Sequence, residues 1–291
     1  MIVSGASGGD KYAEAHARWR TQLTQVLGEK YQLGPEQLIV LAENPADGGT
    51  RATAEGVRRA FATLRNRARR EDLILVVLIG HGTFDGADAK FNLVGPDLSA
   101  TDWSDLVRGL PGRVIVVNTT SASFPFLERL AARNRIVVTA TDSGVQRYET
   151  IFPQFFAEAL TDPAGDLDKN GRTSLWEAFA FASARVKRWY EERGQLPTER
   201  ALLDDNGDGV GKEAGAPGFD GVLARSTYLD VDPAARLTGV EELLKQRSDL
   251  EARLEELKAK KPSLAAEPYE KELEGILVEL AKIGRLIRAK S

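Results

Sequence analysis

Apolar positions along the chain fall into short continuous runs separated by amphipathic stretches, the pattern of buried strands alternating with helices. The clearest run, 73–79 (LILVVLI), has seven apolar residues and no polar alternation. It is too short for a membrane span and suits a strand covered on both faces of a parallel sheet. It stops at Gly80, His81 and Gly82, which puts an imidazole at a strand's carboxyl end, where open α/β sheets gather their ligands. A second run, 114–117 (VIVV), stops in a cluster of hydroxyls, Asn118-Thr119-Thr120-Ser121-Ala122-Ser123, and a third spans 136–141 and stops at Asp142. Upstream, a short strand from Ile2 enters the loop 5–9, followed by a helix over 11–27, a strand over 38–41, a polar loop over 44–50 and a helix over 52–70. Two β-α-β units therefore precede His81, which implies parallel pairing with right-handed crossovers. Past His81 the pattern predicts a polar loop over 83–89 and helices over 102–109, 126–133, 151–160 and 174–193. The expected fold is α/β, a doubly wound, mostly parallel sheet over residues 1–230.

From Leu237 the period changes. Val240, Leu243, Arg247, Leu250, Leu254 and Leu257 are spaced 3, 4, 3, 4, 3, the seam of a coiled coil. Leu273, Ile276, Leu280, Ile283 and Ile287 repeat the spacing after a break that contains Pro262 and Pro268. Residues 237–291 are therefore expected to form an antiparallel helical hairpin, with arms about 30 Å long. Such a hairpin is a candidate surface for self-association or for a protein partner.

A net charge of −4 offers no concentrated basic face, so no nucleic-acid partner is expected. No run of about 20 apolar residues exists, so no membrane span is expected. The absence of cysteine excludes disulfides, thiolate metal sites and a cysteine nucleophile. The first strand begins at Ile2, leaving no room for a signal peptide in the chain as given. With a single methionine and no cysteine, an extracytoplasmic setting, periplasmic or secreted, is preferred over a cytoplasmic one.

Five segments, in order, carry a family resemblance: VSGASGGDKY, LIVLAENP, LVVLIGHG, VIVVNTTSAS and IVVTATDSG. Together they resemble the caspase-haemoglobinase fold, most closely the legumain-type (C13-like) cysteine peptidases, over about residues 2–210. The resemblance implies that His81 is the catalytic histidine and that the Gly82 and Thr120 amides hold an oxyanion. Thr120 stands on the nucleophilic cysteine, and Ser7 on the asparagine that orients the histidine. Thr141 and Asp142 help line the pocket for the substrate side chain. Ala13 and Glu14 occupy the place of the basic pair that reads that side chain.

Without the thiol, the resemblance implies a pseudoenzyme of a peptidase fold, binding a peptide or protein in the strand-end cleft. The alternative is an active hydrolase in which Thr120, Ser121 or Ser123 attacks with His81 as base. Thiol and imidazole pKa values lie about two units apart, whereas a hydroxyl needs a closely aligned base, usually oriented by a carboxylate. Asp102, Asp105 and Asp142 are candidates for that carboxylate. His16, the only other histidine, lies on a helix and reads as a surface residue.

The segment 166–177 (DLDKNGRTSLWE) fits an EF-hand calcium loop. Asp166, Asp168 and Asn170 supply side-chain oxygens, Arg172 a backbone carbonyl, Ser174 a hydroxyl or bound water, and Glu177 a bidentate carboxylate. Gly171 permits the sharp turn. Asp204, Asn206 and Asp208 repeat the first half of this pattern, with Glu213 as a stand-in for the last ligand.

Overall fold

The computed structural model describes residues 1–45, 49–230 and 239–289. The predicted hairpin start at Leu237 and the centre of the predicted 44–50 loop lie outside these residues. A seven-stranded sheet runs in the order β10-β9-β8-β4-β1-β2-β3. Its strands are β1 (Ile2–Ser4), β2 (Val40–Ala42), β3 (Thr50–Arg51), β4 (Leu73–Ile79), β8 (Arg113–Asn118), β9 (Arg135–Thr139) and β10 (Leu202–Asp204). All neighbours pair in parallel except β10, which lies antiparallel on β9.

The continuous apolar runs are explained by cover on both faces. Val77 and Ile79 of β4, with Ile115 and Val117 of β8, pack on one side against α1 (Asp10–Glu29), α5 (Phe152–Thr161) and α6 (Leu175–Glu191). The alternate residues Ile74, Val76 and Leu78, with Val114 and Val116, pack on the other side against α2 (Ala54–Arg67), α3 (Ala100–Arg108) and α4 (Phe124–Leu130). Successive strand residues thus serve two cores, as the two-residue period of a strand requires. Among the described residues, neither core takes one beyond Leu229.

The stretch predicted as a polar loop after His81 instead forms a small antiparallel sheet of β5 (Gly82–Phe84), β6 (Ala89–Phe91) and β7 (Leu98–Ser99). Its inward residues Phe91 and Leu98 close the second core. A short helix α7 (Val222–Arg225) precedes α8 (Glu241–Lys260) and α9 (Ala266–Arg288). Leu257, Tyr269 and Ile276 form the buried centre of the α8–α9 contact, with Leu250, Leu254, Leu273 and Leu280 packed around them. Among the described residues, no helix is long and apolar enough to cross a membrane.

Candidate functional site

From β1 the sheet grows outward through β2 and β3 on one side and through β4, β8 and β9 on the other. The strand order reverses between β1 and β4, and the crevice beyond the carboxyl ends of strands at such a point is where doubly wound sheets bind ligands. Ser7 follows β1 and His81 follows β4. Gly82 lies against the loop after β8: a Cβ there would collide with the Ser121 carbonyl and sit 2.9 Å from Thr120 Oγ1. The residues singled out in the sequence therefore gather at one rim.

Their side chains are engaged with one another in a different way from a catalytic pair. His81 Nε2 donates to the Ser7 carbonyl at 3.0 Å, so the neutral ring carries its lone pair on Nδ1. Thr120 is fully buried, and its hydroxyl donates to Asn118 Oδ1 at 2.8 Å. Ser121 Oγ donates to the Gly82 carbonyl at 3.1 Å, while Ser123 Oγ pairs with Thr141 Oγ1 at 3.0 Å. The amides expected to hold an oxyanion are occupied as well. Gly82 N–H donates to Ser121 Oγ and Thr120 N–H to Asn118 Oδ1, both at 3.1 Å. Ala122 closes this turn at φ 50°, a left-handed conformation uncommon for a residue with a Cβ.

Ser7 orients His81 through its backbone, and its own amide donates to Glu43 Oε2. None of the carboxylates expected to orient His81 does so. Asp102 caps α3 and pairs with Arg58 at 3.0 Å, Asp105 pairs with Arg108, and Asp142 lies 3.7 Å from Arg200. The neighbours of His81 are Tyr12, edge-on with ring centroids 4.9 Å apart, and His16, with centroids 5.2 Å apart. His16 is only 2% exposed, which corrects the surface reading. It belongs to the inward stripe of α1 with Trp19, Leu23 and Val26, and its Nε2 lies 3.5 Å from Glu149 Oε1. Burial, and then His16, lower the His81 pKa, opposed by Glu149 and the Ser7 carbonyl.

In the acidic loop between α5 and α6, three of the six expected donors gather. One oxygen each of Asp166, Asp168 and Glu177 can lie within 4.8 Å of the others. Gly171 takes φ 87°, which makes the turn at the sixth position. Glu177 and Ser174 form the capping box of α6, and Glu177 Oε1 also accepts the Leu167 and Asp168 amides. With the Ser174 amide and hydroxyl on Oε2, all of the about four lone-pair sites of this carboxylate are engaged, so a cation there would displace some of these bonds. Asn170 donates its amide nitrogen to Asp168 and Tyr228 while its oxygen accepts the Arg172 amide. The Arg172 guanidinium grips Asp230 and lies 4.0 Å over the Tyr228 ring. Burial chiefly, and then Glu177, raise the Asp168 pKa.

The second acidic stretch is held differently. Asp204, at the end of β10, is fully buried and accepts the Gly207 and Gly209 amides. Asn206 and Asp208 bond each other, and Glu213 lies 3.7 Å from Arg200. Sequence reasoning missed the two aspartates that anchor this stretch. Asp205 accepts the Gly221 and Ala224 amides at the start of α7, and Asp220 accepts the Asp205 amide. Burial above all pushes the Asp220 pKa up to about 7. Glu199 was missed too: it is 2% exposed and accepts the Ile151 and Phe152 amides at the start of α5.

No protein-family model matches the chain, and no curated protein matches it. Among solved structures it is similar to the crystal structure of protein GSU0716 from Geobacter sulfurreducens, at 11% identity and a TM-score of 0.44, over 70% of this chain and 92% of that one. A likeness at that level says nothing of function.

Proposed function

We propose that the chain is a non-catalytic relative of the caspase and legumain-type peptidases, a calcium-stabilised binding or scaffold protein. The observation that carries this reading is the bonding at the rim. Every hydroxyl that could replace the missing thiol is committed elsewhere, and His81 hydrogen-bonds the Ser7 carbonyl. A cleft of this kind suits an extended peptide or a chain terminus held by hydrogen bonds. A cavity of about 360 Å³ beside the rim, lined by Phe84, Phe124, Pro125, Asp142 and Val145 among others, supplies room for a side chain. The loop 166–177 supplies the calcium site, and α8 with α9 forms an antiparallel hairpin that serves as an arm for self-association or partner capture.

A hydroxyl-dependent hydrolase has one observation in its favour: burial keeps His81 neutral, with the Nδ1 lone pair free to act as base. The two readings separate in one experiment. Fluorogenic and fluorescently labelled versions of the same peptide panel are offered to the protein and to His81→Ala. Anisotropy changes without turnover support a binding protein. Turnover that His81→Ala removes overturns that reading in favour of the hydrolase.

A further inference from the structure

The helix α9 buries one face against α8 and leaves another bare. Tyr269, Leu273, Ile276 and Leu280, spaced 4, 3, 4, pack on α8. A second stripe, Glu270, Glu274, Leu277, Ala281 and Arg285, is spaced 4, 3, 4, 4 and runs along the exposed side of the same helix. Leu277 is 47% exposed and Val278, beside it, 44%. The two line one groove of about 360 Å³ with Glu270, Glu274 and Ala281. Charge divides along this stripe: the two glutamates stand before the apolar centre and Arg285 stands after it. None of these three has an ion-pair partner among the described residues, whereas Glu279 and Lys282, farther round the helix, pair with each other at 2.6 Å.

We propose that this stripe is the contact for a second copy of the chain, with α9 lying antiparallel on α9 across a two-fold axis. The proposal rests on the reading of the hairpin as an arm and names what the arm holds. With one helix turned end for end about the midpoint between Leu277 and Val278, Leu277 of each copy meets Val278 of the other. Glu274 then meets Ala281, and Glu270 meets Arg285, which also stands one turn from Glu274. An isologous contact has to be self-complementary in this way, with every pairing made twice. A parallel arrangement would set Glu270, Glu274 and Arg285 each against its own copy, as like charges. A partner of another kind would have no use for opposite charges at equal distances from the apolar centre. The 23 residues of α9 give a seam about 34 Å long. One helix face with Leu277 and Val278 as its large apolar groups makes a small interface, so the dimer is expected to be micromolar and no tighter.

The test follows the mass of the full chain by sedimentation velocity from about 1 to about 500 µM, a range that brackets a micromolar dimer. A monomer–dimer equilibrium is expected, and amide hydrogen exchange over residues 266–288 should slow as the dimer fills. Leu277→Glu, which places a charge beside the axis in both copies, should weaken the dimer about a hundredfold. Glu270→Arg and Arg285→Glu should each weaken it about tenfold, because each turns two attractions into two repulsions. The two reversals in one chain should restore it. Glu256→Gln, on the exposed side of α8, should leave the dimer unchanged, and an unaltered melting curve establishes that each variant is folded. A dimer that ignores Leu277→Glu, or single reversals that the double reversal does not rescue, overturns the α9 contact. In that case protection over 241–260 leaves the arm standing, and protection confined to 1–230 overturns the arm as well. A chain that stays monomeric throughout overturns the contact and leaves the arm to partner capture.

Discussion

Glu199 makes a quantitative prediction about pH. Its carboxylate accepts the Ile151 and Phe152 amides at the start of α5, and the Tyr190 hydroxyl donates to it at 3.2 Å. Burial outweighs these bonds and pushes its pKa from 4.5 up to about 7. A carboxyl whose folded-state pKa stands above its unfolded value binds its proton more tightly when folded. Its contribution to stability is fully present below 4.5 and is lost as pH rises through about 7. At about 1.4 kcal/mol per pH unit the loss is about 3 kcal/mol. Asp220, also pushed up to about 7, acts with the same sign in the same window, so the wild-type profile contains both. Glu199→Gln keeps an acceptor for the α5 amides and cannot ionise, so the difference between variant and wild type isolates Glu199. The assay is urea unfolding followed by tryptophan fluorescence at pH 5 and pH 8, with chelator present to remove calcium linkage. Because part of the loss has already occurred at pH 5, Glu199→Gln should gain about 2.5 kcal/mol on the wild type between the two values. A difference that is flat in pH, or that favours the wild type at pH 8, would refute the reasoning.

Three further outcomes follow from the same structure. Chelation should lower the melting temperature of the wild type, because a cation held only by the folded state stabilises it by mass action; Asp166→Ala with Glu177→Gln should abolish that response, and a melting curve indifferent to millimolar calcium would count against the site. Deleting residues 239–291 should leave the α/β body cooperatively folded, since its two cores take nothing from α8 or α9, and should abolish any self-association seen by light scattering; a truncated chain that melts without cooperativity would place the arm in the core. Thr120→Cys should give a thiol that reacts slowly and titrates at or above the ordinary value, because position 120 is fully buried against Asn118; a low thiol pKa that returns to normal in His81→Ala would show a working pair.

The main sheet was legible because β4 and β8 are buried on both faces, and that burial writes itself as unbroken runs of Leu, Ile and Val. The small sheet was not, since β5, β6 and β7 are two or three residues each and mix Gly, Thr, Lys and Ser with their buried Phe and Leu. The last strand, β10, was hidden for a related reason: it has three residues, and Asp204 belongs to both the strand and the acidic pattern. The gathering of Ser7, His81 and the 118–123 cluster at one rim followed from strand order alone. The bonding among them did not, because a choice between Ser7 O, Thr120 and Ser121 as partner of His81 is decided by angstrom-scale packing of Gly82 against the β8 loop. His16 could have been placed by its spacing to Trp19, Leu23 and Val26, three, seven and ten residues on, which puts it on the inward face of α1. Glu149, Glu199 and Asp220 left no such signal. Their partners are backbone amides or a histidine far away in sequence.

The claim that the rim binds without performing chemistry is tested most directly by covalent labelling with a hydroxyl-reactive acyl phosphonate, mapped by peptide mass spectrometry. With the hydroxyls bonded to Asn118, Gly82 and Thr141, and His81 turned to the Ser7 carbonyl, no adduct should form in the cleft. A stoichiometric adduct on Thr120, Ser121 or Ser123 that disappears in His81→Ala would contradict the account.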